Sequence, residues 1–211
     1  TLNRVTGGNQ SDIFGRLTAN GTIFLVNPNG IFFGAGASVD VHGLIATTAD
    51  ITNSDFLAGR FNFGIASLNQ DAMVVNQGDI TIGEQGLAAL VAPGVANSGV
   101  INARLGSVTL AGVRTFTVDL YGDGILRFPV GSEVVQAPAG ADALVTNDGE
   151  IFADGGTVML TARAADGVLD NVINMGGVIE ARAATMQGGV IVLSGGDSGI
   201  VAVAGRLDAS G

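Results

Sequence analysis

Apolar and polar residues alternate in short bursts along this chain, and each burst ends at a glycine- or asparagine-rich reversal. The clearest instance runs from Leu25-Val26 through Asn27-Pro28-Asn29-Gly30 to Ile31-Phe32-Phe33-Gly34: an apolar strand, a four-residue turn, a second apolar strand. Asn first, Pro pre-setting φ at the second position and Gly closing the fourth suit a type I turn. Period-two alternation predicts strands, and constant reversals predict a chain that hardly ever makes a helix.

The bursts repeat. Asn-x-Gly followed closely by Ile occurs at Asn76-Gln77-Gly78-Asp79-Ile80, Asn97-Ser98-Gly99-Val100-Ile101 and Asn147-Asp148-Gly149-Glu150-Ile151, and more loosely at Asn174-Met175-Gly176-Gly177-Val178-Ile179. After a gap comes Gly-x-(Val/Ala)-x-Leu, at Gly86–Leu90, Gly106–Leu110 and Gly156–Leu160, with a looser copy at Gly189–Leu193. The four asparagines lie 21, 50 and 27 residues apart, and the middle gap, near two periods, predicts one disguised coil. A period in the low to middle twenties, built from strands alone, predicts an all-β fold of the parallel β-helix type. Each coil would lie about 4.8 Å beyond the last, giving roughly nine coils and a rod on the order of 40 Å. Val108, Leu110, Val158 and Leu160 should point inward, and Thr109 and Met159 outward. Asn76, Asn97, Asn147 and Asn174 should form a stacked ladder that satisfies turn backbone groups, the alternative being a ligand-binding face.

Between Val113 and Ala141 the pattern breaks. Thr115–Leu120 and Ile125–Val130 read as two strands around Tyr121-Gly122-Asp123-Gly124, a hairpin leaning on the outside of the rod. Pro129 cannot donate to a ladder, so its strand should lie at an edge. Seven of the ten phenylalanines fall in the first 63 residues, predicting a bulkier and less regular core at that end.

Composition sharpens this picture. The 211 residues include 34 glycines and are 47% hydrophobic but only 5% aromatic, which suits close stacking of short Val, Ile, Leu and Ala strands. No linker-like stretch divides the chain, so residues 1–211 read as one domain: a motif-rich part over 1–63, then repeat coils over 64–211 with the hairpin insertion at 113–141. The nine basic residues are all arginine, against 19 acids and a net charge of −10. That balance argues against nucleic acid and anionic membrane surfaces as partners. Without cysteine there are no disulfides or thiolate metal sites, and no apolar run approaches the ~20 residues of a membrane span. The chain opens Thr1-Leu2-Asn3-Arg4 with no initiating Met, as a processed or excised piece would.

Leu2-Asn3-Arg4-Val5-Thr6-Gly7-Gly8, Ser11–Leu17, Asn20-Gly21 and Phe24–Ile31, followed by Gly43–Ile51 and Asp55–Gly59, resemble in order the filamentous-haemagglutinin-type secretion domain of bacterial two-partner secretion exoproteins. Residues 2–63 carry the resemblance; the later repeats match in style. It implies a right-handed parallel β-helix, secreted to the cell surface, that an outer-membrane transporter recognises through periplasmic POTRA-type modules and that templates folding of a downstream passenger, commonly an adhesin. Family members usually carry several dozen residues before Leu2, forming a cap; this chain starts at the motif. Bare ends would template edge-to-edge addition, making a self-stacking fibre or matrix subunit the alternative reading.

Within the motifs, Asn27, Pro28, Asn29 and Gly30, with Asn3 and Arg4, are the candidate transporter-recognition residues, or else a corner that sets coil geometry. Arg4, Arg16 and Arg60 could meet an acidic partner surface or pair at corners. His42, the only histidine, stands two residues from Asp40 on a strand, where both would share a face. No second His or Cys supports a metal role, and Asp119 with Asp123-Gly124 lacks the ligand spacing of a hand-type calcium loop. No cofactor is implied. A polysaccharide-active enzyme is a weaker alternative: Asp79, Glu84, Glu150, Asp154, Asp166 and Asp170 are scattered through turns, and no nucleophile–base pair is evident.

Overall fold

A computed structural model describes residues 1–120, 126–184 and 186–211. The described strands wind into a parallel β-helix with three faces. The first face stacks the N-terminal half of β3 (Arg16–Val26), that of β5 (Ser38–Thr47), β8 (Asp79–Ile82), β11 (Val100–Asn102), β16 (Glu150–Phe152), β19 (Val178–Glu180) and β22 (Arg206–Asp208). The second stacks β1 (Leu2–Arg4), the C-terminal halves of β3 and β5, β9 (Leu87–Ala92), β12 (Ser107–Gly112), β17 (Thr157–Ala162) and β20 (Val190–Ser194). The third stacks β2 (Ser11–Ile13), β4 (Ile31–Phe33), β7 (Met73–Asn76), β10 (Gly94–Asn97), β15 (Val145–Asn147), β18 (Asn171–Met175) and β21 (Ile200–Val203). Strands β3 and β5 bend around a corner, β3 through a register shift between Ala19 and Thr22, which joins the first two faces into one sheet.

Inward positions repeat from rung to rung. Val39, Ile80, Ile101, Ile151 and Ile179 stack down the first face, and Ala46, Leu90, Leu110 and Leu160 down the second, all at most 1% exposed. Each such Ile or Leu contributes about 1.5–3 kcal/mol by leaving water. Val108 and Val158 point inward as the alternation required.

One corner is a seam of backbone alone. A Cβ on Gly78, Gly99, Gly149, Gly177 or Gly205 would stand 2.0–2.6 Å from a carbonyl oxygen of the rung before, so only glycine lets the rungs close up there. The residue after the glycine then donates its N–H to the preceding rung's glycine carbonyl: Val100 to Gly78 and Glu150 to Gly99 at 3.0 Å, Val178 to Gly149 and Arg206 to Gly177 at 2.9 Å.

Three expectations need correction. Each face has seven strands, not roughly nine, which makes a stack of about 30 Å. No coil hides in the long gap: Asn97 of β10 lies directly against Asn147 of β15, and the surplus residues leave the rod altogether. The described residues also include one short helix, α1 (Asn53–Leu57), capped by Thr52, whose hydroxyl oxygen accepts the Asp55 N–H at 3.1 Å.

The surplus residues build a second layer. β13 (Phe116–Val118) pairs antiparallel with β14 (Leu126–Arg127), the hairpin expected outside the rod, and β14 lies at a sheet edge just before Pro129. Its turn, residues 121–125, lies outside the described residues. The other side of β13 pairs antiparallel with β6 (Phe61–Phe63), a partner from a separate excursion after β5. This three-stranded sheet and α1 cover the outside of the second face. Hence Phe24, Val26, Ile45, Ala89, Val91 and Ala111 point outward yet are buried, in a second core with Phe61, Phe63, Phe116, Val118 and Leu126. The early phenylalanines mostly serve this layer, and Thr109 points outward beneath its cover.

Candidate recognition site

Asn27-Pro28-Asn29-Gly30 links β3 to β4, and its tightness follows from its side chains. The Gly30 N–H donates to the Asn27 carbonyl at 3.0 Å, closing the turn, and the Asn29 N–H donates to Asn27 Oδ1 at 2.9 Å. Gly30 holds φ at +106°, and a Cβ on it would meet the Met73 carbonyl at 2.9 Å, so both torsion and space demand glycine. Asn27 is fully buried; its Nδ2 donates to the Asn9 carbonyl at 3.0 Å and to Ser11 Oγ at 2.9 Å. Asn29, half-buried, donates through Nδ2 to the Gly7 carbonyl at 2.9 Å. The turn therefore clamps the loop between β1 and β2.

Arg4 fastens the next element. Its guanidinium donates to Asp50 Oδ1 at 2.7 Å, to Asn53 Oδ1 at 3.0 Å and to the Ile51 carbonyl at 2.6 Å. Asp50 and Ile65 exchange backbone bonds at 2.7 and 3.1 Å, and Ser67 Oγ donates to the Pro28 carbonyl at 2.6 Å. Asn3 is exposed and reaches only Thr1 and the Phe24 carbonyl. Motifs scattered over the first 67 residues thus meet at one corner. A groove there is lined by Pro28, Asn29, Thr48, Asp50, Ile65 and Ser67, with Leu68 almost wholly exposed at its rim. Sequence reasoning missed Ile65, Ser67 and Leu68, which follow no repeat; two exposed aliphatic residues flanking a serine give no local signal.

The other candidate residues are dispersed. Asn76, Asn97 and Asn147 stack inside the third face: Asn76 Nδ2 donates to Asn97 Oδ1 at 2.8 Å, and Asn97 Nδ2 to Asn147 Oδ1 at 2.7 Å. Asn174 does not join them. It pairs in register with Thr146 on the outward side, and Met175 takes the ladder position, its sulfur 3.3 Å from Asn147 Nδ2. The cause is the glycine seam. Gly177, not Gly176, must sit beneath Gly149, which shifts the preceding residues by one. Phe33 closes the opposite end of the ladder.

Arg16 and Arg60 stand apart from the corner groove's lining, near Asp40 at 3.9 Å and Asp55 at 2.8 Å respectively. The Thr52 hydroxyl, then Arg60, holds the Asp55 carboxyl below its ordinary range. His42 is exposed over Gly83, and no three metal-ligating side chains gather among the described residues. Glu84 pairs with Arg104 and Asp154 with Arg182, so these acids are engaged in ion pairs between rungs. Asp123 lies outside the described residues. Among those residues no helix is long and apolar enough to cross a membrane.

Comparison with known proteins agrees with this geometry. A family model described as the TPS secretion domain matches residues 1–209. A heme/hemopexin-binding protein of Haemophilus influenzae strain Rd is 36% identical over 201 residues, covering 92% of this chain and 21% of that protein. A second heme/hemopexin-binding protein of Haemophilus influenzae is 32% identical over 213 residues, covering 91% and 22%. The crystal structure of the HMW1 secretion domain from Haemophilus influenzae superposes with a TM-score of 0.78 at 30% identity, over 97% of this chain and 50% of that one. The chain spans about a fifth of the length of the curated relatives it matches.

Proposed function

This chain belongs to the TPS secretion domain family, and from that premise we propose that the corner holding Asn27–Gly30 is where an outer-membrane transporter of a two-partner system grips it. The family is a non-catalytic secretion domain of exoproteins delivered to the extracellular space or cell surface. On our reading this chain supplies the export address and the first rungs on which a longer β-helix builds, and periplasmic POTRA-type modules read the address. Heme and hemopexin binding, for which two relatives are named, is a property of proteins of which this chain spans a fifth.

The observation that carries the proposal is convergence. Residues from β1, the Asn27 turn and the excursion after β5 are cross-bonded at one corner, beside an open apolar groove. Asn27 is buried and holds the fold, so its loss would blur stability with recognition. The Asn29 amide spends its bonds at the surface of the turn, on the Gly7 carbonyl and Asn27 Oδ1, and Leu68 spends none of its side chain on the core. Asn29→Ala and Leu68→Ser should each lower secretion through the cognate transporter several-fold while changing urea stability by less than about 1 kcal/mol. Unchanged secretion in both variants would refute the site.

Head-to-tail addition of a second copy is the other reading. It rests on the half-exposed Val190, Ile200 and Val203 along the last strands. Sedimentation over a concentration series decides it: a constant value removes it.

A further inference from the structure

Outward residues on a β-helix rung ordinarily face water. On the second face of this rod, β3, β5, β9 and β12 instead present Phe24, Val26, Ile45, Ala89, Val91 and Ala111, and all are buried. Their cover comes from two excursions far apart in the chain, residues 49–63 on one side and residues 113–120 with 126–128 on the other. β13 lies in the middle of the covering sheet, with β6 on one side and β14 on the other. An aromatic pile ties the layers together: Phe24 stacks on Phe61 at 5.2 Å and Phe63 at 6.2 Å, and Phe63 lies flat on Phe116 at 4.6 Å and 4°. Among the described strands β6 pairs with β13 alone, so β13 ties the cover of four strands' outward rows together.

We propose that this sheet is a latch that makes the N-terminal rungs one cooperative unit. The second core closes only when β13 lies across β6. β3, β5, β9, β12 and the latch then open and close together, whereas β19 to β22 add onto the finished unit and open independently. Two features set this division. The join between β6 and β13 spans a long loop, so its closure entropy must be met before any contact forms. The later rungs carry no outer layer: Val190, Ile200, Val203 and Leu207 remain 40–57% exposed. For a chain that emerges N-terminus first, rungs do not set one by one; the first stable structure waits for residue 128. The latch is independent of which partner reads the corner.

Hydrogen exchange followed by mass spectrometry on the full chain tests this. Phe116→Ala removes the ring by which β13 joins the aromatic pile, the one that lies flat on Phe63. Amides of β5, β6, β9 and β12 should exchange about a hundredfold faster or more, by a common factor, with β19 to β22 unchanged. A second variant guards against loss of folding. Asn62 and Thr117 oppose each other across β6 and β13, and the chain has no cysteine of its own. In Asn62→Cys/Thr117→Cys, oxidation should slow exchange in β5, β9 and β12 at least about tenfold relative to the reduced form, the scale of a closed-loop constraint. Changes confined to β6, β13 and β14 would overturn the proposal. So would equal changes in β19 to β22, which would make the whole rod one unit.

Discussion

Replacing Asn97 with Val tests what the internal asparagine ladder is worth. Asn97 is 1% exposed. Its Oδ1 accepts from Asn76 at 2.8 Å, and its Nδ2 donates to Asn147 Oδ1 at 2.7 Å and to the Gly99 carbonyl at 3.4 Å. Valine fits the volume but supplies none of these bonds. Asn76 keeps a partner, because its Nδ2 also donates to the Gly78 carbonyl at 3.1 Å. Asn147 Oδ1 loses the donor it has and stays buried, at a cost of about 1–3 kcal/mol, to which the lost bonds add about 1 kcal/mol each. With three bonds lost the total is roughly 4–6 kcal/mol, or about 8–24 °C in Tm for a chain of this size. Equilibrium urea unfolding is the assay, with Asn147→Val and the double variant completing a cycle. The double variant removes donor and acceptor together, so it should cost at least about 1 kcal/mol less than the sum of the singles. A loss below about 1 kcal/mol for Asn97→Val, or strict additivity, would refute the reasoning and leave the ladder a packing motif.

Other outcomes follow from single contacts. Gly99→Ala places a Cβ 2.2 Å from the Gly78 carbonyl and should cost about 3 kcal/mol or more in urea, while Gly8→Ala, with nothing within 4 Å, should be near neutral. Arg4→Ala should cost about 1–2 kcal/mol and raise hydrogen exchange in residues 50–57, because three bonds to Asp50, Ile51 and Asn53 are lost. Acid should loosen two places first. The Asp55 and Asp208 carboxyls are held below their ordinary value, Asp55 by Thr52 and Arg60, Asp208 by Ser210 and Arg206. A depressed acid stabilises the fold above that ordinary value and loses the contribution as pH falls through the lowered one. Exchange in α1 and β22 should therefore rise below pH 3.8, ahead of β9 and β12, and Asp55→Asn should remove the pH dependence at α1.

The rod was legible because its signals are local and periodic. Asn76, Asn97 and Asn147 each precede a seam glycine by two residues, so identity and spacing agree. Asn174 misled because an asparagine happened to stand one residue before the true ladder position; Gly177, immediately before β19, not the asparagine, carries the register. The latch was half legible. The hairpin announces itself through Tyr121-Gly122-Asp123-Gly124, but the pairing of Phe63 with Phe116 depends on contacts more than fifty residues apart, which no local pattern encodes. One clue was present: Leu87-Ala88-Ala89-Leu90-Val91-Ala92 is apolar throughout, as a strand buried on both faces must be. The corner site was visible as motifs but not as a place, since Arg4, Pro28 and Ser67 meet only after the rungs stack.

The glycine seam separates what this rod must keep from what it can change. Beside the seam runs an outward column of Arg16, Ser38, Asp79, Val100, Glu150, Val178 and Arg206, one residue per rung. Basic, hydroxyl, acidic and apolar side chains succeed one another there without disturbing the stack. Mutation can therefore rewrite the charge and texture of a whole face while the spacing of five glycines alone holds the pitch. Descendants of such a chain would keep the same shaft and diverge in dress, able to meet new surroundings long before the architecture drifts.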